Sequence, residues 1–227
     1  MGPALGLLAQ VLPLALGAAM SPTFLAMQVV VLTSGTPGAL RRGWALAAGS
    51  VTTLLVISLG GYSVLSSLPD FGTGRPSAVE AVIFALAGTA LLITGAVVYR
   101  RPRDHEDSAL HRVVDAGPPV LFAIGAARLA VNATTLALYI PALHLIANST
   151  AGSWAKVLAF LLLFCLTELA VVGPVLAVTV MGARATPVLT GVHGAIQRHS
   201  RVLSVGTCVL FGLLLLAAAV RVAVQVA

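Results

Sequence analysis

Residues 100–117 read RRPRDHEDSALHRVVDAG, the one strongly polar tract in a chain of 227 residues. On both sides of it the sequence is apolar. By count 59% of the chain is hydrophobic and 9% is charged, where a soluble domain carries roughly 25% charged residues. A single core of this size cannot hide so much apolar surface, so the remainder must face something other than water. That excludes an ordinary cytoplasmic enzyme, a disordered chain and a disulfide scaffold. Apolar stretches run over 4–34, 43–68, 80–99, 118–147, 154–181 and 202–226. Each reaches the roughly 20 residues that a helix needs to cross a bilayer. The polar tract leaves three of them on either side. The expectation is an all-α integral membrane protein of six transmembrane helices, with halves at 1–99 and 118–227 and a basic linker at 100–117. Three is odd, so the second half enters the membrane in the opposite sense to the first. Two inverted three-helix repeats of this kind are the plan of transporters whose sites lie between the halves on broken helices.

The loop charges give the orientation. Arg41 and Arg42, then Arg100, Arg101, Arg103 and Arg112, then Arg184, Arg198 and Arg201 all fall in the odd-to-even connections. The other face has only Arg75, Lys156 and Arg221. The basic side belongs in the cytoplasm, which places both termini outside a cell (plasma) membrane crossed many times. No Lys or Arg precedes Arg41, so the N-terminal stretch lacks the charged region of a signal peptide. In this setting the net charge of +6 reports membrane orientation. There is no basic stripe with interleaved aromatics, so nucleic acid is not an expected partner.

The apolar runs are interrupted at Pro13 and Pro22, at Pro141, and at Gly173-Pro174, all read as helix breaks. Breaks survive in lipid only where protein or a watery cavity satisfies the freed backbone groups. The first span of each half also carries a polar interruption: Ser21-Pro22-Thr23 in one, Asn132-Ala133-Thr134-Thr135 in the other. Two charges fall deep within spans, Arg128 and Glu168. At the helical rise per residue, Arg128 lies about 15 Å from the cytoplasmic edge, Pro22 about 18 Å, Glu168 about 20 Å and Asn132 about 21 Å. A charge at such depth costs at least ~2.5–3.5 kcal/mol and defaults to a functional role. The expected site is therefore central. Arg128 and Glu168 pair with each other or alternate between pairing and substrate, and Glu168 is the proton-coupling candidate. Ser21, Pro22, Thr23, Asn132 and Thr135 hold the polar part of a substrate. The plainer alternative is a static ion pair that fixes helix packing.

Other chemistry is poorly supported. His105 and His111 are six residues apart within a charged loop and match no compact metal motif. His193 and His199 fit a basic loop that touches lipid headgroups, and His144 is a minor candidate for a gate. Cys165 and Cys208 stand alone in apolar runs, without a C-x-x-C. There is no G-x-S-x-G, H-E-x-x-H or phosphate-loop lysine, so neither an enzyme nor an ATP-driven pump is expected. No metal or cofactor is implied. Gly88 with Gly95, and Gly206 with Gly212, are close-packing positions. Trp44 and Trp154 are interfacial anchors.

Two stretches resemble a known family. LPLALGAAMSPTFLAMQVVVLTSG (12–35), followed by PGALRRGWALAAGS (37–50), resembles the start of lysine-exporter (LysE) superfamily proteins. RLAVNATTLALYIPAL (128–143) is similar to the Asn motif of their fourth span. Ser21-Pro22-Thr23 stands where the superfamily often has Pro-Gly-Pro, and Asn132-Ala133-Thr134 where it often has Asn-Pro-Lys. The length, the central basic loop and the Pro in the fifth span most resemble the GAP branch, the glycolipid- and sulfolipid-addressing proteins of actinobacterial envelopes. That resemblance implies a secondary exporter of a cell-envelope glycolipid or similar amphiphile, working by alternating access. Two alternatives stand beside it. One is an exporter of an amino acid or other small solute. The other is a non-transporting adaptor for an envelope lipid-synthesis or export partner. A homo-oligomer is compatible with each.

Overall fold

In a computed structural model, residues 3–67, 77–100 and 116–226 are described. The linker positions 101–115, with His105 and His111, lie outside the described residues, as does Arg75. Among the described residues every regular element is helical. α1 spans Pro3–Ala19, α2 Pro22–Thr33, α3 Ala39–Ser66 and α4 Ala78–Arg100. After the linker come α5 (Pro118–Ala130), α6 (Ala133–Asn148), α7 (Ser153–Met181), a short 3-10 turn (Gly182–Arg184) and α8 (Ala185–Val226). Four helices contain stretches long and apolar enough to cross a membrane: α3, α4, α7 and α8 from Val202 onward. α1 with α2, and α5 with α6, are bent pairs at angles of 52° and 64°, and counting each pair as one span brings the total to six. Outward-facing positions such as Val56, Leu59, Leu86 and Leu210 are large and apolar, as a lipid-facing surface requires.

The two bends have local causes. Pro22 lacks an N–H and disfavours the helical conformation at the residue before it. Ser21 accordingly sits at φ −117°, ψ 84°, and Pro22 opens α2 at the position where Pro is best tolerated. At the second bend Asn132 leaves the helix at φ −79°, ψ 85°, and its side chain accepts from the N–H of Thr135 at 3.3 Å, capping α6. The other expected breaks are absent. α1 runs unbroken through Pro13, α6 through Pro141, and α7 through Gly173 and Pro174. An interior Pro removes one hydrogen bond, and flanking turns packed into a bundle hold the helix together across that gap. Residues 182–201, read above as a loop, are also helical apart from the short turn. Pro187 falls in the first turn of α8, where its missing N–H costs nothing.

Packing puts α6 at the centre, against α1, α3, α4 and α7. Leu138, Tyr139, Leu143 and Ile146 of α6 all belong to the main core. α1 buries the stripe Leu7, Val11, Leu14, Ala15 and Ala18, spaced for one helical face. The main pairings are α3 with α5, α1 with α7, and α4 with α8. Glycine sets the first and third. A Cβ on Gly49 would strike the carbonyl of Phe122, and one on Gly125 the carbonyl of Leu46, so α3 and α5 meet backbone to backbone. A Cβ on Gly88 would lie 2.9 Å from the Gly212 carbonyl oxygen, and one on Gly95 2.9 Å from Cβ of Cys208. Gly206 has open space around it and is not a contact point.

Candidate functional site

The two bends meet. Asn132 Nδ2 donates to Ser21 Oγ at 3.3 Å, so the residue that interrupts one span touches the residue that interrupts the other. One turn further on, Thr135 Oγ1 donates to the carbonyl of Ala18 at 3.4 Å. That carbonyl belongs to the end of α1, where the helix has no partner of its own to offer it. Asn132 therefore does two jobs, capping α6 with its oxygen and reaching α1–α2 with its nitrogen. Beside this crossing Thr207 Oγ1 of α8 lies 3.6 Å from Met20 Sδ, and Thr134 Oγ1 lies 3.8 Å from Cys208 Sγ. Thr23 is half-buried in the first turn of α2.

Glu168 occupies a second polar locus. It lies on the inward stripe of α7 with Leu163, Thr167 and Val171, and is 3% exposed. Ser50 Oγ of α3 donates to Oε1 at 3.1 Å, and Oε2 has no hydrogen-bond partner. Tyr139 of α6 is within electrostatic reach of this carboxyl, and its hydroxyl lies 2.7 Å from Ser58 Oγ. Ser58 spends its own proton on the carbonyl of Leu54 at 2.6 Å, so Tyr139 must be the donor to Ser58. A lone pair on the phenol oxygen is left over. A buried carboxylate without an adjacent cation costs several kcal/mol, so the locus is short of one positive partner.

Arg128 does not supply it. The residue is exposed, in the last turn of α5. α5 turns Leu121, Gly125 and Leu129 inward against α3, and Arg128 lies off that row. α3 stands between: Gly125 abuts the backbone of Leu46 and Ser50, while the Ser50 hydroxyl faces Glu168. The expected ion pair is therefore not formed in this conformation. Of the seven residues expected at the site, the structure brings Ser21, Asn132 and Thr135 together, with Pro22 creating the bend that admits them. Glu168 is buried in the same bundle with different partners, and Arg128 is on its outer surface.

Three participants escaped the sequence reading. Ser50 and Ser58 are ordinary small residues in an apolar run, although their eight-residue spacing is a faint sign of one shared face. Tyr139 looks like core. Two other buried polar groups carry orphan atoms. Gln28 Nε2 donates to the Gly43 carbonyl at 2.9 Å while its Oε1 has no partner, and His144 has no partner on either ring nitrogen. Each unmet group costs about 1–3 kcal/mol in a dry interior. Among the described residues no group of three or more His, Cys, Asp or Glu side chains is placed to hold a metal.

Comparison with known proteins gives one result. Residues 11–221 match the family model SfLAP, described as "Sap, sulfolipid-1-addressing protein". No curated protein and no solved structure matches the chain.

Proposed function

The chain belongs to the sulfolipid-1-addressing protein family, and from that premise we propose that it is a secondary transporter moving an envelope glycolipid or related amphiphile out of the cytoplasmic leaflet. The observation that carries the reading is the Asn132–Ser21 contact. Two spans are broken where they cross, and their polar groups are turned toward each other. Broken crossing helices are costly in lipid and belong to sites that bind polar groups at mid-membrane.

The same reading takes 1–99 and 118–227 as inverted halves that alternate access. Most of the helix pairings support it, the α1–α6 contact having no comparable counterpart between α5 and α2. Exchanging α1–α4 for α5–α8 maps α3 on α5 to α7 on α1, α4 on α6 to α8 on α2, α2 on α3 to α6 on α7, and α3 on α6 to α7 on α2. The pairs α3 with α7 and α4 with α8 map onto themselves. Such a scheme has two states of similar energy that differ in which half-helices open. It also fits the LysE-superfamily likeness of residues 12–35 and 128–143. The Arg-rich face is cytoplasmic, with 100–117 as the linker on that side and both termini outside.

The chain's own residues then have roles. Arg128, on the outer surface of α5, meets the polar headgroup of a lipid arriving from the side. Ser21, Thr23, Asn132 and Thr135 exchange their mutual hydrogen bonds for bonds to that headgroup. Glu168 binds and releases one proton per cycle and so supplies the missing positive partner. Nothing in this scheme is a bond-making reaction, so the protein acts as a carrier and not as an enzyme.

The test is reconstitution of the purified protein alone in liposomes containing a fluorescent sulfated glycolipid, with leaflet exchange followed by external quenching. Exchange that needs the protein and is lost in Asn132→Leu supports the proposal. No exchange, together with stable capture of an envelope lipid-synthesis enzyme, would identify an adaptor instead.

A further inference from the structure

α5 has one principal neighbour. Among the described residues it packs along α3 and on no other helix to a comparable extent. Only Leu121, near its start, joins Met27 and Val31 of α2 in the small core around Leu46. Gly49 and Gly125 bring α3 and α5 backbone to backbone, and Nε of Arg42 donates to the carbonyl of Ala116, just before α5, at 3.0 Å. α3 meets the rest of the bundle along another face, on which Ala47, Leu54 and Leu65 join the main core. The polar contacts of that face are single hydrogen bonds, each worth about 0.5–3 kcal/mol. Toward the Arg-rich end Gln28 Nε2 of α2 donates to the Gly43 carbonyl, midway Ser50 donates to Glu168 of α7, and further out Ser58 is bonded to Tyr139 of α6. This seam is incompletely satisfied, since Gln28 Oε1 and Glu168 Oε2 have no partner. Short joints flank the pair in the chain. Residues 34–38, with Gly35 and Gly38 at positive φ, precede α3, and Val131–Asn132 follow α5.

We propose that α3 and α5 move as one body against α2, α6 and α7, and that this displacement ties lipid movement to Glu168. The inference rests on the transporter reading above. The moving body takes one helix from each half, because α3 packs on α5 far more than on α4 of its own half. Exchanging the halves gives the direction. α1 packs on both α7 and α6, so its counterpart α5, seated here on α3, closes on α2 in the other state. α5 then carries Arg128, and the headgroup it holds, toward the crossing. α3 carries the Ser50 hydroxyl away from Oε1, which leaves both oxygens of Glu168 open to a proton. One displacement serves both events, with hinges at the short joints that flank the pair. α4 and α8 stay together, held by the close approaches of Gly88 to Gly212 and of Gly95 to Cys208.

The experiment uses the full chain in liposomes containing the fluorescent sulfated glycolipid, with leaflet exchange read by external quenching. Three cysteine pairs are oxidised in a Cys165→Ser background, and mass spectrometry of the joined peptides confirms each link. Leu32→Cys with Gly43→Cys ties α3 to α2, and Gly61→Cys with Leu143→Cys ties α3 to α6, both with Cys208→Ala. A Cβ on Gly43 would lie 2.8 Å from Leu32 Cδ2, and one on Gly61 3.0 Å from Leu143 Cδ2. Gly95→Cys with the native Cys208 ties α4 to α8, where the two Cβ atoms would be 2.9 Å apart. The two α3 links are expected to abolish exchange, with reduction restoring it, and the α4–α8 link to leave exchange near the parent rate. Exchange that continues through both α3 links overturns the moving body. An equal loss through the α4–α8 link overturns it too, since stiffening anywhere would then stop the protein. Each pair is judged against its own reduced form, so a folding fault is not read as a lock. No exchange in the parent defeats the transporter reading and this inference with it, whereas exchange through the α3 links defeats this inference alone.

Discussion

Glu168 is the residue on which the energetics turn, because it is buried with one oxygen held by Ser50 and the other open. Glu168→Gln keeps the shape and the Ser50 hydrogen bond but cannot exchange a proton. The variant is expected to fold and bind lipid while its transport becomes flat across pH; transport that still follows pH in liposomes would remove the proton role. Arg128 tests differently. The guanidinium and the carboxyl are separate, so Arg128→Met with Glu168→Leu should show independent, additive effects on stability and on headgroup selectivity. Strong coupling in a double-mutant cycle, about 1 kcal/mol or more, would mean that the two meet in another state of the cycle. The sequence pointed to Glu168 and Asn132 because a charge or an amide deep in an apolar run is conspicuous. Ser50, Ser58 and Tyr139 were not legible. Hydroxyls sit anywhere on a membrane helix by bonding the carbonyl four residues back, as Ser58 and Thr167 also do here.

Helices break or continue according to what surrounds the interrupting residue. Of the four prolines read as helix breaks, at 13, 22, 141 and 174, only Pro22 begins a new helix. Its neighbour Ser21 accepts a side-chain hydrogen bond from Asn132 across the crossing. The second bend has no proline at all and relies on an Asn cap. Asn132→Ala should cost about 0.5–2 kcal/mol in thermal or denaturant unfolding, the ordinary value of a lost N-cap. Asn132→Asp, which retains the accepting oxygen but not the donated hydrogen bond to Ser21, should recover the cap and not the transport. The glycine contact between α3 and α5 makes a second prediction at this scale. Gly125→Ala introduces a methyl into the Leu46 carbonyl and should destabilise the fold by about 1–3 kcal/mol, whereas Gly206→Ala, in open space, should be neutral. Sequence reading found Gly88, Gly95 and Gly212 by their spacing and overvalued Gly206. A glycine matters only when its bare face is the one that meets a neighbour.

Across the whole molecule, the crossing of α1–α2 with α5–α6 either opens and closes during function or stays fixed. Cysteines at Met20 and Thr207, which touch beside the crossing, in a background with Cys165→Ser and Cys208→Ala, should join by a short disulfide-containing cross-linker and stop lipid exchange, with reduction restoring it. Exchange that proceeds unaffected through the cross-link would show that the crossing does not move. Six crossings also require both termini on one face, which tags at each end of the intact vesicle-embedded protein will report. From composition and span length the sequence alone determined that this is an all-helical membrane protein with room for six crossings. The cause is energetic: each apolar run of about 20 residues is worth far more in lipid than in water, whatever its neighbours. The sequence also marked where two spans carry polar interruptions. Only the tertiary structure decided that these interruptions touch, that Arg128 faces outward while Glu168 faces inward, and that α3 separates them. Those outcomes depend on the rotation of each helix about its axis. Backbone contact through Gly49 and Gly125 sets that rotation for α3 and α5, and hydropathy does not encode it when every face is apolar.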